Sequence, residues 1–362
     1  MSSIAFFITP HGFGHAARSC AVIQELKRME PSLTFLILTT VPKEFFDNSL
    51  DFEFLYHPLQ TDVGFIQRSA LEIDMAATID SLRSFYGSPA PNKDRIINLL
   101  RKSDTKLIIS DISPLGIQMA QELGLRSILI ENFTWDWIYR FYEAKFPQLA
   151  PISSLIEDIY KSASFRIRTI PYCGKCKDDL FVPPVSRCLK NSREATRKKL
   201  NIGPGEKMIL VSMGGVSEEL RFLNEGFLNE LKKYSVRLVC CSDGGGLKNF
   251  ENVIFLPQFS NYYHPDLVNA SDGVIGKLGY STVAEVANTG VPFAFVVRED
   301  YPEMDCLKDF VLTFQNTLEV NAQRFKTGNI LEQVLSLLEF ERIEPNDING
   351  AEECAKFILQ CV

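Results

Sequence analysis

Two stretches of this 362-residue chain combine chemically useful residue types with a spacing that could bring them to one point. In the first, Gly273–Val297, a short apolar run (Val274, Ile275) leads into a turn carrying Lys277 and Gly279. Ser281 and Thr282 follow at the expected start of a helix, Glu285 lies one turn later, and Gly290 and Pro292 end it. Hydroxyl residues at a helix start are expected caps, and Gly followed by Pro is a common helix stop. Free amides at the helix start, two hydroxyls and an ammonium together make an anion site. Phosphate or diphosphate is its natural occupant. Glu285 could then reach a hydroxyl on whatever carries the phosphate. The same residues would also serve an ordinary tight turn between a strand and a helix.

The second stretch is Pro10–Ser19, with His11, Gly12, Gly14, His15 and Arg18. Gly12-x-Gly14-x-x-Ala17 nominally fits a dinucleotide-binding turn, but that turn needs an acid after the second strand to hold a ribose. Here that place reads Thr39-Thr40-Val41, so a nicotinamide enzyme is not expected. His15, between strand and helix, has the pKa of a general base near neutrality. Asp111, at the C-terminal edge of the apolar run Leu107–Asp111, could orient and polarise it. His11 is the competing base, and a simple helix cap is the structural alternative for either histidine.

The elements that must hold these residues follow from periodicity. Buried strands are expected at Ile4–Thr9, Leu33–Thr39, Phe52–Tyr56, Leu107–Asp111, Ser127–Ile130 and Phe165–Thr169, alternating with helices. The alternation restarts with strands at Met208–Ser212, Val236–Cys240 and Val253–Leu256. Continuous apolar strands alternating with helices mean parallel sheets covered on both faces. Pro171 to about Ser192 reads as the connection between domains. The expected fold class is α/β, with two Rossmann-like doubly wound parallel-sheet domains facing a central cleft. Residues 1–185 and 186–345 form the two domains, and 346–362 a C-terminal helix that returns to the first.

Hydrophobic residues at 46% and charged residues at 23% fit a globular protein with a large core. The net charge of −7 argues against a nucleic-acid polymer as partner. Met1-Ser2-Ser3 runs straight into Ile4–Ile8 without the pattern of a signal peptide, and no apolar run approaches a membrane span. With nine scattered cysteines, reduced thiols and a cytoplasmic location are expected. Cys173-Gly174-Lys175-Cys176 has no nearby fourth ligand for zinc and is read as incidental. Both tryptophans, Trp135 and Trp137, sit in the run Asn132–Tyr142, read first as helix core and second as a ligand platform.

On these residues the chain resembles the two-domain GT-B glycosyltransferases that use nucleotide sugars. Gly14-His15 is similar to the first turn of the UDP-glycosyltransferases and MurG-type enzymes. Met213-Gly214-Gly215 is similar to their donor-domain glycine turn, and Phe255-Leu256-Pro257-Gln258 to their base-cradling segment. Gly279-Tyr280-Ser281-Thr282-x-x-Glu285 with Gly290-Val291-Pro292 resembles their diphosphate and ribose signature. A closer resemblance is to the N-terminal region of plant arabinokinases and related bacterial proteins, through His11–Arg18, Asn132–Tyr139 and Lys277–Tyr280. Those plant proteins continue into a sugar-kinase domain, and kinase activity is not expected from the residues here.

The resemblance implies an inverting glycosyltransferase. His15, oriented by Asp111, would deprotonate an acceptor hydroxyl. Gly214, Gly215, Lys277, Gly279, Ser281 and Thr282 would hold the donor diphosphate, and Glu285, Phe255 and Gln258 its ribose and base. The family's sugar-reading Asp-Gln pair has no aligned counterpart, leaving Asp300 and Glu303 as substitutes. His11, Gly12, Gly14, Arg18, Trp135 and Trp137 would face the acceptor. Lys277 stands where the family has a phosphate-binding histidine. No Asp-x-Asp pair is present, and neither a metal nor a cofactor is expected. The expected partners are a nucleoside-diphosphate sugar, leaning toward UDP, and an acceptor the residues do not specify. Peripheral contact with a membrane surface stays open. Two rivals share the fold: a nucleotide-sugar 2-epimerase, and a non-catalytic nucleotide-sugar-binding or regulatory protein.

Overall fold

A computed structural model describes residues 3–68, 72–87, 92–174, 180–213, 223–241, 251–257, 260–345 and 349–362. Gly214, Gly215, Gln258 and Cys176, named above, lie outside the described residues. The first domain runs β1 (Ser3–Ile8), α1 (Gly14–Met29), β2 (Thr34–Thr39), α2 (Lys43–Ser49), β3 (Leu55–Pro58), α3 (Met75–Tyr86), α4 (Lys93–Lys102), β4 (Thr105–Asp111), α5 (Pro114–Leu123), β5 (Arg126–Glu131), α6 (Trp135–Tyr142), α7 (Ala150–Lys161), β6 (Phe165–Thr169) and β7 (Leu180–Val182). Its seven strands are all parallel, in the order β3-β2-β1-β4-β5-β6-β7.

The second domain runs α8 (Arg193–Lys199), β8 (Lys207–Ser212), α9 (Glu225–Lys232), β9 (Val236–Cys241), β10 (Val253–Leu256), α10 (His264–Ala270), β11 (Gly273–Lys277), α11 (Tyr280–Thr289), β12 (Phe293–Val296), α12 (Glu303–Val311), β13 (Thr317–Val320), α13 (Ala322–Thr327) and α14 (Leu331–Glu339). Its six described strands are parallel, in the order β10-β9-β8-β11-β12-β13. The chain ends with α15 (Gly350–Leu359), whose Ala351, Cys354, Ala355 and Ile358 join the core around Ile4, Ala16 and Leu26 of the first domain.

The central strands are largely apolar because helices cover both faces, and every residue of β1 is buried, whereas the edge strands β3 and β13 are partly exposed. A further apolar cluster runs through the domain interface, from Trp135 and Tyr139 of α6 to Tyr301, Met304 and Leu307 around α12. Gly276 lets β11 press against β8: a Cβ there would lie 1.8 Å from the Ser212 carbonyl oxygen. The strands flanking that contact carry Lys277 and Ser212 at their ends.

Several expectations change. The third strand lies at Leu55–Pro58 rather than Phe52–Tyr56, and the connection after Pro171 contains an edge strand, β7. A three-residue edge strand has too few residues for a pattern to reveal it. Ser281 and Thr282 do not cap α11; Gly279 holds the cap position and supplies no side-chain bond, so the hydroxyls lie inside the first turn. Nine reduced thiols are not found either, because Cys173 and Cys306 form a disulfide between the loop after β6 and α12. They are 133 residues apart in sequence, a pairing no local spacing could announce.

The chain crosses between domains twice, and the two crossings lie side by side. The Gly350 amide donates to the Pro184 carbonyl at 3.1 Å, and Asn349 Nδ2 donates to the Ser186 carbonyl at 2.6 Å.

Candidate functional site

In each sheet the strand order reverses direction at one place, between β1 and β4 and between β8 and β11. Parallel sheets bind ligands at the carboxyl edge of such a switch point. The loop after β1 carries His11 and leads into α1, whose second residue is His15; β4 ends in Asp111, β8 ends in Ser212, and β11 ends in Lys277. The two edges face each other: a Cβ on Gly14, at the start of α1, would lie 3.8 Å from Ser281 Cβ in the first turn of α11. Among the described residues neither helix start has a side-chain cap bond, and the first-turn amides of a helix have no partner within the helix itself.

His15 is 7% exposed. Its Nδ1 lies 2.8 Å from Asp111 Oδ1, and the ionised carboxylate, which can only accept, places the proton on Nδ1. Nε2 is then the basic atom, with no protein partner among the described residues. Burial lowers the His15 pKa, Asp111 opposes this, and Arg18 adds to it; the net shift is downward. His15 is therefore neutral at physiological pH, as a base must be.

Asp111 is fully buried and does more than orient His15. Arg18 donates to it through Nε at 2.9 Å and Nη2 at 2.5 Å, and Ser19 Oγ donates at 3.1 Å. Burial alone would raise the carboxyl pKa; Arg18 and His15 outweigh it and hold it below the ordinary range. Arg18 continues across the cleft. Its Nη1 donates to Asn132 Oδ1 at 2.7 Å, and Asn132 Nδ2 donates to Glu303 Oε1 at 2.8 Å. The guanidinium also lies 5.1 Å from the Tyr280 ring centroid, and the Tyr280 hydroxyl accepts from the Val185 amide. Arg18 is thus a buried bridge between domains rather than an open acceptor contact.

His11 sits edge-on to Trp135, with ring centroids 5.1 Å apart. Its Nδ1 accepts from the Phe65 amide, which leaves the proton on Nε2. Burial lowers its pKa well below the usual value, and the charges of Arg298 and Lys277 lower it further. Gly64 makes this contact: it has φ of +61°, and a Cβ would sit 3.0 Å from both His11 and Trp135. Gly12 also adopts a positive φ, +72°. Trp135 is fully buried, and Trp137 partly buried against the same core. The Trp135 indole donates to Asp62, a buried carboxyl that also accepts from Thr9 and whose pKa burial pushes up to about 7.

The donor-side residues divide. Lys277, Gly279, Ser281 and Thr282 gather at the uncapped start of α11. Glu285 does not stand open beside them. It is 2% exposed, and its two oxygens are bonded to Arg187 Nη2 (3.0 Å) and His264 Nδ1 (2.7 Å). His264 Nε2 in turn lies 3.0 Å from Ser212 Oγ, and Arg187 donates to Ser49 in the first domain. Phe255 packs partly buried on β10 against the second domain's core. Glu303 enters the cleft through Asn132, with a pKa raised by burial. Asp300 is exposed, and its carbonyl accepts the Tyr142 hydroxyl.

Sequence reasoning missed Asn132, Asp62, Arg187, His264 and Arg298. Asn132 had a usable signal, a polar residue just past an apolar strand, and His264 is one of only four histidines. The others carry none.

The whole chain superposes on solved two-domain structures. A kitacinnamycin glycosyltransferase matches with a TM-score of 0.63 at 16% identity, covering 99% of both chains. The fold is that of the GT-B glycosyltransferases. Two further GT-B structures span the range. MurG of Acinetobacter baumannii has a TM-score of 0.55 at 14% identity over 99% of both chains. UGT2 of Phytolacca americana, solved with UDP-2-fluoro-glucose and pterostilbene, has a TM-score of 0.61 at 14% identity over 99% of this chain and 93% of its own. In sequence, L-arabinokinase of Arabidopsis thaliana is 28% identical over 366 residues, or 98% of this chain. The chain spans about a third (34%) of that kinase's length. No protein-family model matches. Among the described residues no helix is long and apolar enough to cross a membrane, and no group of three or more His, Cys, Asp or Glu could hold a metal ion.

Proposed function

We propose that the protein transfers a sugar from a nucleoside-diphosphate sugar to an acceptor hydroxyl with inversion. The observation that carries this is His15 itself. It is a neutral imidazole, pinned through Nδ1 by Asp111, with Nε2 unpartnered at a switch point that faces the uncapped start of α11. The diphosphate would lie at that helix start, neutralised by its amides and by Lys277. His15 Nε2 takes the acceptor proton as the acceptor oxygen attacks the anomeric carbon. The anomeric C–O bond to the diphosphate breaks on the opposite face, and the nucleoside diphosphate leaves with that electron pair. Glu285 already accepts at both oxygens, from Arg187 and His264, and a ribose hydroxyl would have to use a remaining lone pair of the same buried carboxylate. Structural neighbours solved with UDP-2-fluoro-glucose and with DTDP support a nucleotide donor.

The test is a thermal-shift screen of nucleoside diphosphates and nucleotide sugars, followed by turnover with the binder and candidate acceptors. Binding should be lost in Lys277→Ala. His15→Ala should keep binding and lose turnover. Product isomerised without an acceptor would indicate the epimerase instead, and no stabilisation by any diphosphate would overturn the donor reading.

A further inference from the structure

Arg298 follows β12, two residues beyond Val296, and Val296 is the register partner of Lys277 on β11. The two cations therefore stand on adjacent strands at the same carboxyl edge. Arg298 is 4% exposed, yet among the described residues no carboxylate lies within ion-pair distance of it. Its guanidinium lies 4.4 Å from the Tyr301 ring centroid. With the Gln67 amide oriented to satisfy both residues, Gln67 Oε1 accepts from Nη1 and Nη2 at 3.3 and 3.1 Å. The Nε–H is buried and has no partner among the described residues. Glu303, an acid whose charge balance it affects, is bonded to Asn132 and is itself pushed toward its neutral form by burial. His11, on the other side, is held neutral. A buried guanidinium without a counter-charge is costly, and the Tyr301 ring and the Gln67 bonds repay less of that cost than an anion would.

The proposed diphosphate site is a neighbour, not the same place. It lies at the start of α11 beside Lys277, whereas Arg298 lies one strand over and reaches toward the first domain through Gln67. In the proposed reading, a group held by Arg298 would lie on the first-domain side of the diphosphate. We propose that Arg298 forms a carboxylate subsite, reading a uronate-type carboxyl on a sugar in the cleft. The flat guanidinium held on Tyr301 offers the side formed by Nε and Nη2, which matches two carboxylate oxygens. This rests on the nucleotide-sugar reading and goes beyond it by naming the sugar class.

Calorimetric titration of the full chain with UDP, UDP-glucose and UDP-glucuronate tests it. The uronate donor should bind about tenfold or more tighter than the neutral one, the effect of one charge-assisted pair. Arg298→Gln should bring the ratio close to one while leaving UDP affinity unchanged. Arg298→Lys, which keeps the charge without the fork, should fall between. A second arm adds glucuronate or glucose to the UDP complex; preference for glucuronate there, lost in Arg298→Gln, would assign the same carboxylate subsite to the acceptor. The wild-type ratios need no variant to fold. Tight UDP binding with no preference in either arm overturns the subsite and leaves the donor reading standing. No binding of UDP in any form overturns both.

Discussion

Replacing Asp111 by Asn tests whether the base is held as described. The Asp111 carboxylate accepts from His15 Nδ1, from Arg18 Nε and Nη2, and from Ser19 Oγ, all in a fully buried setting. Asparagine keeps one acceptor oxygen and turns an N–H toward the remaining donors. Charge-assisted bonds contribute about 1.5–3 kcal/mol each. Breaking a buried ion pair by removing one partner costs about 3–5 kcal/mol, because the other charge is stranded. The expected loss is therefore about 3–5 kcal/mol, read as a lowered urea midpoint. Turnover should fall by a factor of about 10² to 10⁴, the usual contribution of a positioned acid or base. Arg18→Met in the same chain removes the stranded charge, so the double variant should be more stable than Asp111→Asn alone while staying inactive. A loss below about 1 kcal/mol, or a cycle in which the two changes simply add, would refute the buried cluster.

Two further outcomes depend on pH. Because the His15 pKa lies below the ordinary histidine value of 6.5, the acid limb of kcat/KM should fall below that value. An acid limb at or above 6.5 in the pH–rate profile would contradict it. The same depression, shared by His11, means the unfolded chain takes up protons first, so this part of the stability is lost as pH drops through about 6.5. Asp62 behaves in the opposite sense. Its pKa is raised from 3.8 to about 7, so the folded chain keeps a proton the unfolded chain releases, and stability falls as pH climbs through that window. Linkage puts the full effect at about 4 kcal/mol. Asp62→Asn, which copies the protonated form, should match the wild type near the acid end and be more stable at pH 8. Equal pH dependence in urea titrations of the two chains would count against a protonated Asp62.

Most of the frame was legible in the sequence because buried parallel strands are continuous apolar runs that helices separate. Leu107–Asp111, Phe165–Thr169 and Val253–Leu256 could be read almost residue for residue. His15 and Asp111 could be paired because Asp111 ends one strand and His15 opens the helix that follows another, at the sheet edge where side chains converge whatever the details of packing. Arg18 could not be assigned to Asp111 in this way. A helical arginine three residues after a candidate base looks like a solvent-facing charge until the fold surrounds it with Asp111, Asn132 and Tyr280. Glu285 shows the reverse: its motif position suggested an open carboxylate, and tertiary partners 21 and 98 residues away occupy it. Ion pairs, disulfides and cross-domain bonds depend on long-range closure, and local pattern does not carry that information.

The disulfide has a mechanical meaning. The two chain crossings lie together near Pro184 and Asn349, and by themselves they would act as one hinge pin. A rotation of about 10° about that pin, over a domain radius of roughly 15 Å, would move the far edge by about 3 Å. That is enough to part Asn132 from Glu303 and admit a ligand. Cys173–Cys306 adds a third covalent tether, beside the carbonyl of Glu303, where the chain of bonds from Arg18 through Asn132 reaches the second domain. A body pinned at one side swings, and a body pinned at both sides does not. With the bond formed the cleft becomes a closed frame, and with the thiols free it becomes a jaw.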